Sequence, residues 1–197
     1  MATRRILRID DSADRKILKA HCRPIKLPDP KLKALIADMF ETMHAAQGVG
    51  LAAPQIGLPI QLTIIEIPPL YGTDANGDET DEIIEPARPY VLLNPRIVKL
   101  SEEYVPRTEG CLSLPGWYGE VPRATWATVE FQDLDGKRHR IRRAGDLLGW
   151  AMQHEIDHLN GILFTERITN LDTLRNINDE HAALPDLTPE LPAEPTL

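Results

Sequence analysis

One short stretch of the sequence has residue types and a spacing that are typical of a metal site. Residues 154–158 read His-Glu-Ile-Asp-His, which is the pattern HExxH. Four residues advance an α-helix by about 400°, so His154 and His158 project from one face and can reach a single metal ion. Glu155 lies beside them and can act as a general acid or base. A buried helix that merely contains two histidines gives the same pattern, so the rest of the sequence must decide.

A hydrolytic metal site needs a third protein ligand and an open position for water. In the metzincin pattern a third histidine follows the second by six residues, but that position is Phe164. In a thermolysin-like arrangement the third ligand is a downstream glutamate, for which Glu180 is the candidate. Cys111, in the segment EGCLSL, is the other candidate, because its thiolate completes a Cys-His-His set. Taken alone, a lone cysteine in an apolar segment is more often buried than reactive.

The segment GVGLAAPQIG, residues 48–57, offers neutral groups that could assist catalysis. Gly48 and Gly50 permit unusual backbone angles and the close approach of another chain. Gln55 offers an amide donor that can stabilise a developing oxyanion without competing as an anionic ligand. A glycine-containing turn with a surface glutamine is the alternative interpretation.

The elements that must position these residues form an α+β pattern, for which we expect antiparallel sheet. The predicted elements are an amphipathic helix from Asp29-Pro30 up to Gly48, buried strands over Leu62–Ile67 and Val91–Leu100, a hairpin over Ala127–Arg143 with its turn at Asp135-Gly136, and a helix over Asp146–Leu159. Pro95 indicates an edge or a bulge in the second strand. The last helix carries the HExxH residues.

Composition and charge limit the classes of function. The chain has 197 residues, 42% of them hydrophobic, and a formal net charge of −8. These values predict one acidic globular domain, residues 1–180, without a broad basic face for nucleic acid. The sequence has no apolar run long enough to span a membrane and no secretory signal pattern, so we expect a cytoplasmic protein. Cys22 and Cys111 are predicted to be free thiols.

Two segments are rich in proline and acidic residues. Pro68–Pro89 is predicted to be a long exposed excursion without regular structure. Four of its residues match ligand positions of an EF-hand calcium loop, namely Asp74, Asn76, Asp78 and Glu85. The position that should be glycine is Glu79, so a solvated acidic loop is the preferred interpretation. Residues 181–197 are predicted to be a disordered tail, because they cannot bury enough apolar surface to offset their ordering entropy.

The three segments GVGLAAPQIG, EGCLSL and QHEIDHLNGILF, in this order, resemble the three sequence motifs of the peptide deformylase family at essentially every position. Their order and separations extend the resemblance from about Ile6 to Phe164. The family removes the formyl group from the N-terminal formylmethionine of nascent chains in bacteria and organelles. Its fold is α+β, with the HExxH helix packed among antiparallel sheets. The resemblance implies the same fold and activity for this chain.

The resemblance also implies a role for each site residue. The metal ligands are Cys111, His154 and His158, the general acid and base is Glu155, and the oxyanion donors are Gln55 and the Leu112 backbone N–H. The backbone around Val49, Gly50 and Gly110 resembles the family's edge for the nascent peptide, which adds as a strand. Trp150 and Ala151 precede His154 by four and three residues, so we expect them to line the methionine pocket. Ordinary core packing of these two residues is the alternative.

The donor set alone does not identify the metal. One thiolate and two imidazoles suit zinc, ferrous iron, cobalt or nickel, and the general affinity order favours zinc over iron. The family generally uses ferrous iron, so the resemblance implies Fe²⁺ as the physiological ion. The implied partners are N-formylmethionyl nascent peptides, with no nucleic acid and no membrane. Some family members dock on the ribosome through a basic C-terminal helix, and the acidic C-terminus here argues against that contact.

Two other classes of function remain open at this point. One is a thermolysin-like zinc peptidase that uses His154, His158 and Glu180 as ligands. It predicts that metal binding depends on Glu180 and not on Cys111. The other is a non-catalytic metal-binding or peptide-binding module, for which Glu155 and Gln55 have no catalytic role.

Overall fold

The structure is a computed structural model that describes residues 2–74 and 78–179. The helices are α1 (Ser12–Leu18), α2 (Leu32–Ala45) and α3 (Asp146–Leu159). The strands are β1 (Gly50–Ala52), β2 (Leu62–Ile67), β3 (Leu70–Thr73), β4 (Glu79–Glu85), β5 (Arg88–Leu100), β6 (Tyr104–Cys111), β7 (Leu114–Ala124), β8 (Trp126–Gln132), β9 (Arg138–Gly145) and β10 (Arg175–Asn176). Short 3-10 turns lie at Ala53–Ile56, Phe164–Glu166 and Leu171–Thr173.

The described strands form three sheets, and their neighbouring strands are antiparallel. The largest sheet has five strands in the order β1-β2-β5-β8-β9, and a second has three strands in the order β10-β7-β6. β3 and β4 form a separate pair. Helix α3 packs against strands of both larger sheets. The expected α+β fold, with the HExxH helix among antiparallel sheets, is therefore confirmed.

The five-stranded sheet is covered on both faces. Ile64 and Leu93 pack with α2 in one core cluster, whereas their chain neighbours Ile65 and Leu92 pack with α3 in another. Successive side chains of a strand point to opposite faces, so a strand covered on both sides needs apolar residues at consecutive positions. This explains why the central strands contain continuous apolar runs.

Helix α3 is fixed against its neighbours by a buried amide and a glycine. The Gln153 side chain accepts a hydrogen bond from the Ala124 backbone N–H (3.1 Å) and donates to the Ala124 carbonyl (3.0 Å). At Gly149 the backbone of the preceding strand is so close that an added Cβ would lie 2.2 Å from the Ala144 carbonyl oxygen. These contacts set the rotation of the helix and hence the direction in which its histidines point.

Two predicted elements differ from the structure in detail. Helix α2 begins at Leu32, because Asp29 accepts hydrogen bonds from Lys31 and Leu32 in a turn that precedes the helix. Pro95 lies in β5, the central strand of its sheet, where the register shifts between Leu93 and Arg96. The bulge predicted at Pro95 is confirmed, and the alternative prediction of an edge strand is wrong.

The absence of regular structure predicted for Pro68–Pro89 is wrong. β3 and β4 pair as a hairpin that follows β2 and leads into β5. The flanking strands β2 and β5 are themselves paired at Ile67 and Arg88. Because the flanking strands hold the ends together, a solvent-exposed ribbon can form without burying its acidic side chains. Of the residues compared with a calcium loop, Asn76 lies outside the described residues and Glu85 belongs to β4.

The sequence interpretation missed β6 and β7. Pro106 and Pro122 interrupt their strand patterns, and the structure places these prolines directly opposite each other. The tail predicted for residues 181–197 lies outside the described residues. Within residues 2–74 and 78–179, no helix is long and apolar enough to cross a bilayer.

The close approach at Gly149 gives a stability prediction with an unusual sign. An alanine in a helix is ordinarily more favourable than a glycine by about 1 kcal/mol. We expect Gly149→Ala instead to lower the free energy of unfolding by about 1–3 kcal/mol, because the new methyl group overlaps the Ala144 carbonyl. Urea denaturation of the metal-free protein measures the difference. Equal or greater stability of the variant would contradict the packing described for α3.

Candidate metal centre

The residues singled out from the sequence meet at one cavity of about 760 Å³. The members that line it are Val49, Gly50, Gln55, Gly110, Cys111, Leu112, Trp150, Ala151, His154 and Glu155. His158 lies beneath this surface and is buried. The cavity is bordered by β1, by β6 and by α3 residues between Leu147 and Glu155.

Cys111, His154 and His158 form a group that can hold a metal ion. Their donor atoms all lie within 4.8 Å of one another, and Cys111 Sγ is 3.2 Å from His158 Nε2. Cys111 is the last residue of β6, and the histidines lie on successive turns of α3. The set has one thiolate and two imidazoles, which fits a tetrahedral site with one position left for water.

Electrostatics favour the metal-binding form of the cysteine. Burial alone would raise the pKa of the Cys111 thiol, but the charge on His158 and hydrogen bonds with both histidines lower this pKa to about 5. Burial alone would lower the pKa of His154, but its hydrogen bonds with Cys111 and Glu109 raise this pKa well above the ordinary value. Cys111 is therefore a thiolate at neutral pH, which is the form that binds metals.

Glu109 orients one of the histidines. Its Oε2 lies 2.8 Å from His154 Nδ1, so the hydrogen bond leaves His154 Nε2 to face Cys111 and His158. Arg123 binds both oxygens of Glu109, at 2.6 and 3.0 Å. Burial would raise the pKa of Glu109, but the hydrogen bonds from His154 and Arg123 lower it to about 2. Glu109 thus stays a carboxylate and fixes the His154 ring.

The same arginine reaches the HExxH helix. Arg123 Nη1 donates to Asp157 Oδ2 at 2.6 Å, and Arg167 donates to Asp157 Oδ1 at 2.6 Å. Sequence reasoning did not identify Glu109, Arg123 or Asp157 as functional residues. One signal was present, since Glu109 precedes Cys111 by two residues and alternate residues of a strand share a face. The pairing with Arg123 required the register of β6 and β7.

Gln55 is buried, so its interpretation as a surface glutamine is wrong. Its Oε1 accepts a hydrogen bond from the Ala52 backbone N–H at 2.8 Å. Its Nε2 points the other way and donates to Ser113 Oγ (3.3 Å) and Cys111 Sγ (3.5 Å). The side-chain amide is therefore held with its N–H groups toward the metal-binding cysteine.

Glu155 lies against the backbone of β1. A Cβ added to Gly50 would be 2.4 Å from Glu155 Oε1, so the missing side chain of Gly50 lets the Glu155 carboxyl group come close. The close approach of another chain, which the sequence suggested, stays a prediction. The prediction of unusual backbone angles at Gly48 and Gly50 is wrong, because neither residue has a positive φ. Thr63 Oγ1 lies 3.3 Å from Glu155 Oε2. Burial is the main cause of the raised pKa of Glu155.

Comparison with known proteins identifies the family of this site. The family model described as polypeptide deformylase matches residues 3–174. The chain belongs to the polypeptide deformylase family. It is 72% identical over 185 residues to the peptide deformylase of Chloroflexus aurantiacus, covering 94% of this chain and 97% of that protein. With the peptide deformylase of a Roseiflexus species it shares 59% identity over 182 residues, which is 92% of this chain and 97% of that protein.

Solved structures of deformylases have the same fold. The crystal structure of the Legionella pneumophila peptide deformylase superposes with a TM-score of 0.69 at 39% identity, covering 87% of this chain and 89% of that chain. The enzyme of Synechococcus elongatus, solved in complex with actinonin, gives 0.68 at 34% identity over 84% and 78% of the two chains. The family resemblance expected from the three motifs is thereby confirmed, and the deformylase family is one of metal-dependent hydrolases.

The geometry of the Cys-His-His group favours Cys111 as the third metal ligand. The structure brings Cys111 to the two histidines, whereas Glu180, the candidate for a thermolysin-like site, lies outside the described residues. The free thiols predicted for Cys22 and Cys111 are confirmed, and Cys22 is buried. Burial raises the pKa of the Cys22 thiol to about 11, so only Cys111 has the electrostatic surroundings of a ligand.

The contact between Glu109 and His154 gives a metal-affinity prediction. We expect Glu109→Gln to weaken metal binding by about 10–100-fold, because the amide cannot match the charge that orients and polarises the imidazole. Competition with a chromophoric chelator measures the dissociation constant. Glu130→Gln is the matched control, since Glu130 is likewise held by arginine side chains, those of Arg96 and Arg140, but on the surface. Equal metal affinity of the Glu109 variant and the control would contradict the role of Glu109.

Proposed function

We propose that the protein removes the N-formyl group from the N-terminal methionine of nascent polypeptides at this cavity and releases formate and a free amino terminus. The observation that carries the proposal is the Cys111, His154 and His158 group at the cavity, with Glu155 and Gln55 beside it. The family match supports the reaction. The acid or base, the metal ligands and the amide donor required for hydrolysis of a formamide are then all present in one place.

The metal ligands in this proposal are Cys111, His154 and His158, and the physiological ion is Fe²⁺, with Zn²⁺, Ni²⁺ or Co²⁺ as replacements. When bound, the ion supplies Lewis-acid chemistry, which lowers the pKa of a water molecule toward about 7 and polarises the formyl carbonyl. The low pKa of the Cys111 thiol and the orientation of His154 by Glu109 support this ligand set.

Glu155 is the proposed general acid and base. It takes the proton from the water that attacks the formyl carbon, and it then passes that proton to the departing amine nitrogen. A carboxyl group with a raised pKa holds a proton more readily than an ordinary carboxylate, and burial has this effect on Glu155. Gly50 and Thr63 fix its position.

Gln55 and the Leu112 backbone N–H are the proposed oxyanion donors. The Gln55 amide is aimed at Cys111 before any substrate binds, because its oxygen is already bonded to Ala52. Leu112 directly follows Cys111 and lines the cavity. Donors that are held in place need no reorganisation when charge develops on the formyl oxygen.

The nascent peptide is proposed to add as a strand. β1 and β6 are each at the end of the described order of their sheets, and both border the cavity. Val49 and Gly50 lie at one of these edges and Gly110 at the other, so main-chain hydrogen bonds can hold many different sequences. Trp150 and Ala151 line the cavity one turn before His154 and are proposed to bind the methionine side chain.

The proposed partners follow from the substrate. We propose that the enzyme meets formylated nascent chains in the cytoplasm, without a membrane or direct nucleic-acid contact. The net charge of −8 does not favour docking on ribosomal RNA.

Formate release from a formyl-methionyl peptide tests the reaction. We expect anaerobically prepared, metal-loaded protein to release formate, and Glu155→Gln to lower kcat by about 10²–10⁴-fold, because the amide cannot transfer the proton. The metal content of the variant should remain unchanged. Glu102→Gln, at an exposed position, is the control. Unaltered turnover in a metal-containing Glu155→Gln protein would contradict the assignment.

Gln55 provides a separate test of the oxyanion site. We expect Gln55→Ala to lower kcat by about 10²–10³-fold with little change in KM, because the donor matters most after charge has developed on the oxygen. Steady-state kinetics with the same peptide separate the two parameters. A change confined to KM would show instead that Gln55 only binds the ground state.

A further inference from the structure

Two rows of side chains meet along the cavity. Cys111, Glu109 and Arg107 are alternate residues of β6 and share one face of the strand. His158, His154 and Trp150 are four residues apart on α3 and share one face of the helix. The rows pair member by member, with Cys111 to His158 at 3.2 Å, Glu109 to His154 at 2.8 Å, and the Arg107 guanidinium carbon at 3.6 Å from the centre of the Trp150 ring.

The first two pairs belong to the metal centre, whereas Arg107 of the third pair has no role in the reaction proposed above. At 3.6 Å from the ring centre, the Arg107 guanidinium is stacked on the Trp150 indole. Within the described chain, no carboxylate forms an ion pair with Arg107, and Arg107 Nε is buried without a hydrogen-bond partner. The indole is thus the contact that holds the guanidinium in place.

The third pair lies within reach of the first side chain of a substrate whose formyl group is at the metal ligands. Both Arg107 and Trp150 line the cavity, and Trp150 precedes His154 by one helical turn, about 6 Å along the axis. When the formyl group lies at the metal ligands, an unbranched side chain on the adjacent residue can extend about one such turn. Leu147 and Ala151, which also line the cavity, contribute apolar surface next to the ring.

We propose that Arg107 is a specificity-determining positioning residue, which holds the Trp150 ring as the end wall of the pocket for the first substrate side chain. This inference rests on the proposed deformylase function. With the ring fixed by the guanidinium, the pocket admits the slender methionine side chain and excludes wide aromatic ones. Without the guanidinium, the ring can rotate and the wall opens.

A second stack in the same chain offers a matched control. The Arg143 guanidinium lies 4.5 Å from the Trp126 ring centre, and neither residue lines the cavity. Removal of either arginine abolishes a guanidinium–indole contact, but only the removal of Arg107 alters the cavity. A general effect of losing such a contact is therefore separable from an effect on the substrate pocket.

The test is the ratio of kcat/KM for a formyl-methionyl peptide to kcat/KM for the matching formyl-phenylalanyl peptide. We expect Arg107→Ala to lower this ratio by about tenfold or more, since even one methylene more or less in an apolar pocket changes discrimination by about 10–200-fold. Arg107→Lys should also lower it, because an ammonium cannot stack flat on the ring. Arg143→Ala should leave the ratio unchanged. Metal content and melting temperature are measured for each variant, and Arg107→Met replaces Arg107→Ala if the latter does not fold.

An unchanged ratio in a folded, metal-containing Arg107 variant would overturn the inference, and so would an equal fall in Arg143→Ala. Failure of the proposed function has a different signature, because the unaltered protein would then release formate from neither peptide. Normal release by the unaltered protein with an unchanged ratio in the variants would remove only the role of Arg107.

Discussion

The site depends on a series of buried charges that joins β6 and β7, two strands of one sheet, to helix α3. Asp157, Arg123, Glu109 and His154 follow one another at 2.6 to 2.8 Å, and the Arg123 and Glu109 side chains are only 5% and 10% exposed. Charges buried to this degree are tolerated only when each has its partners. These buried charges therefore enforce a single arrangement of α3 against β6 and β7, and that arrangement places Cys111 beside the two histidines.

The proposed catalytic side chains are held by contacts of a different kind on the other side of the cavity. Gly50 has no side chain and so lets Glu155 lie against β1, and the Ala52 N–H turns the Gln55 amide toward the thiolate. Both strands at the cavity keep one edge free among the described strands. The same region of the fold thus holds the proposed proton-transfer group of α3 and supplies the proposed oxyanion donor and the proposed backbone edge for the peptide.

The parts of the site that could be predicted from the sequence are those set by local geometry. Helical periodicity places His154 and His158 on one face, and the turn at Asp135-Gly136 produces the hairpin that the structure shows. The roles of Glu109 and Arg107 could not be predicted in this way, because each depends on a helix residue more than forty positions away in the chain. β6 and β7 were missed for a related reason, since opposed prolines obscure a pattern that only pairing reveals.

The most direct test of this account is the X-ray absorption spectrum at the zinc edge of the zinc-loaded protein. If Cys111, His154 and His158 hold the ion, we expect one sulfur scatterer at about 2.3 Å and two imidazole nitrogens at about 2.0–2.1 Å. A spectrum with these ligands would establish that β6 and α3 together build the metal centre. A spectrum without sulfur would contradict it, because Cys111 would then not be a ligand.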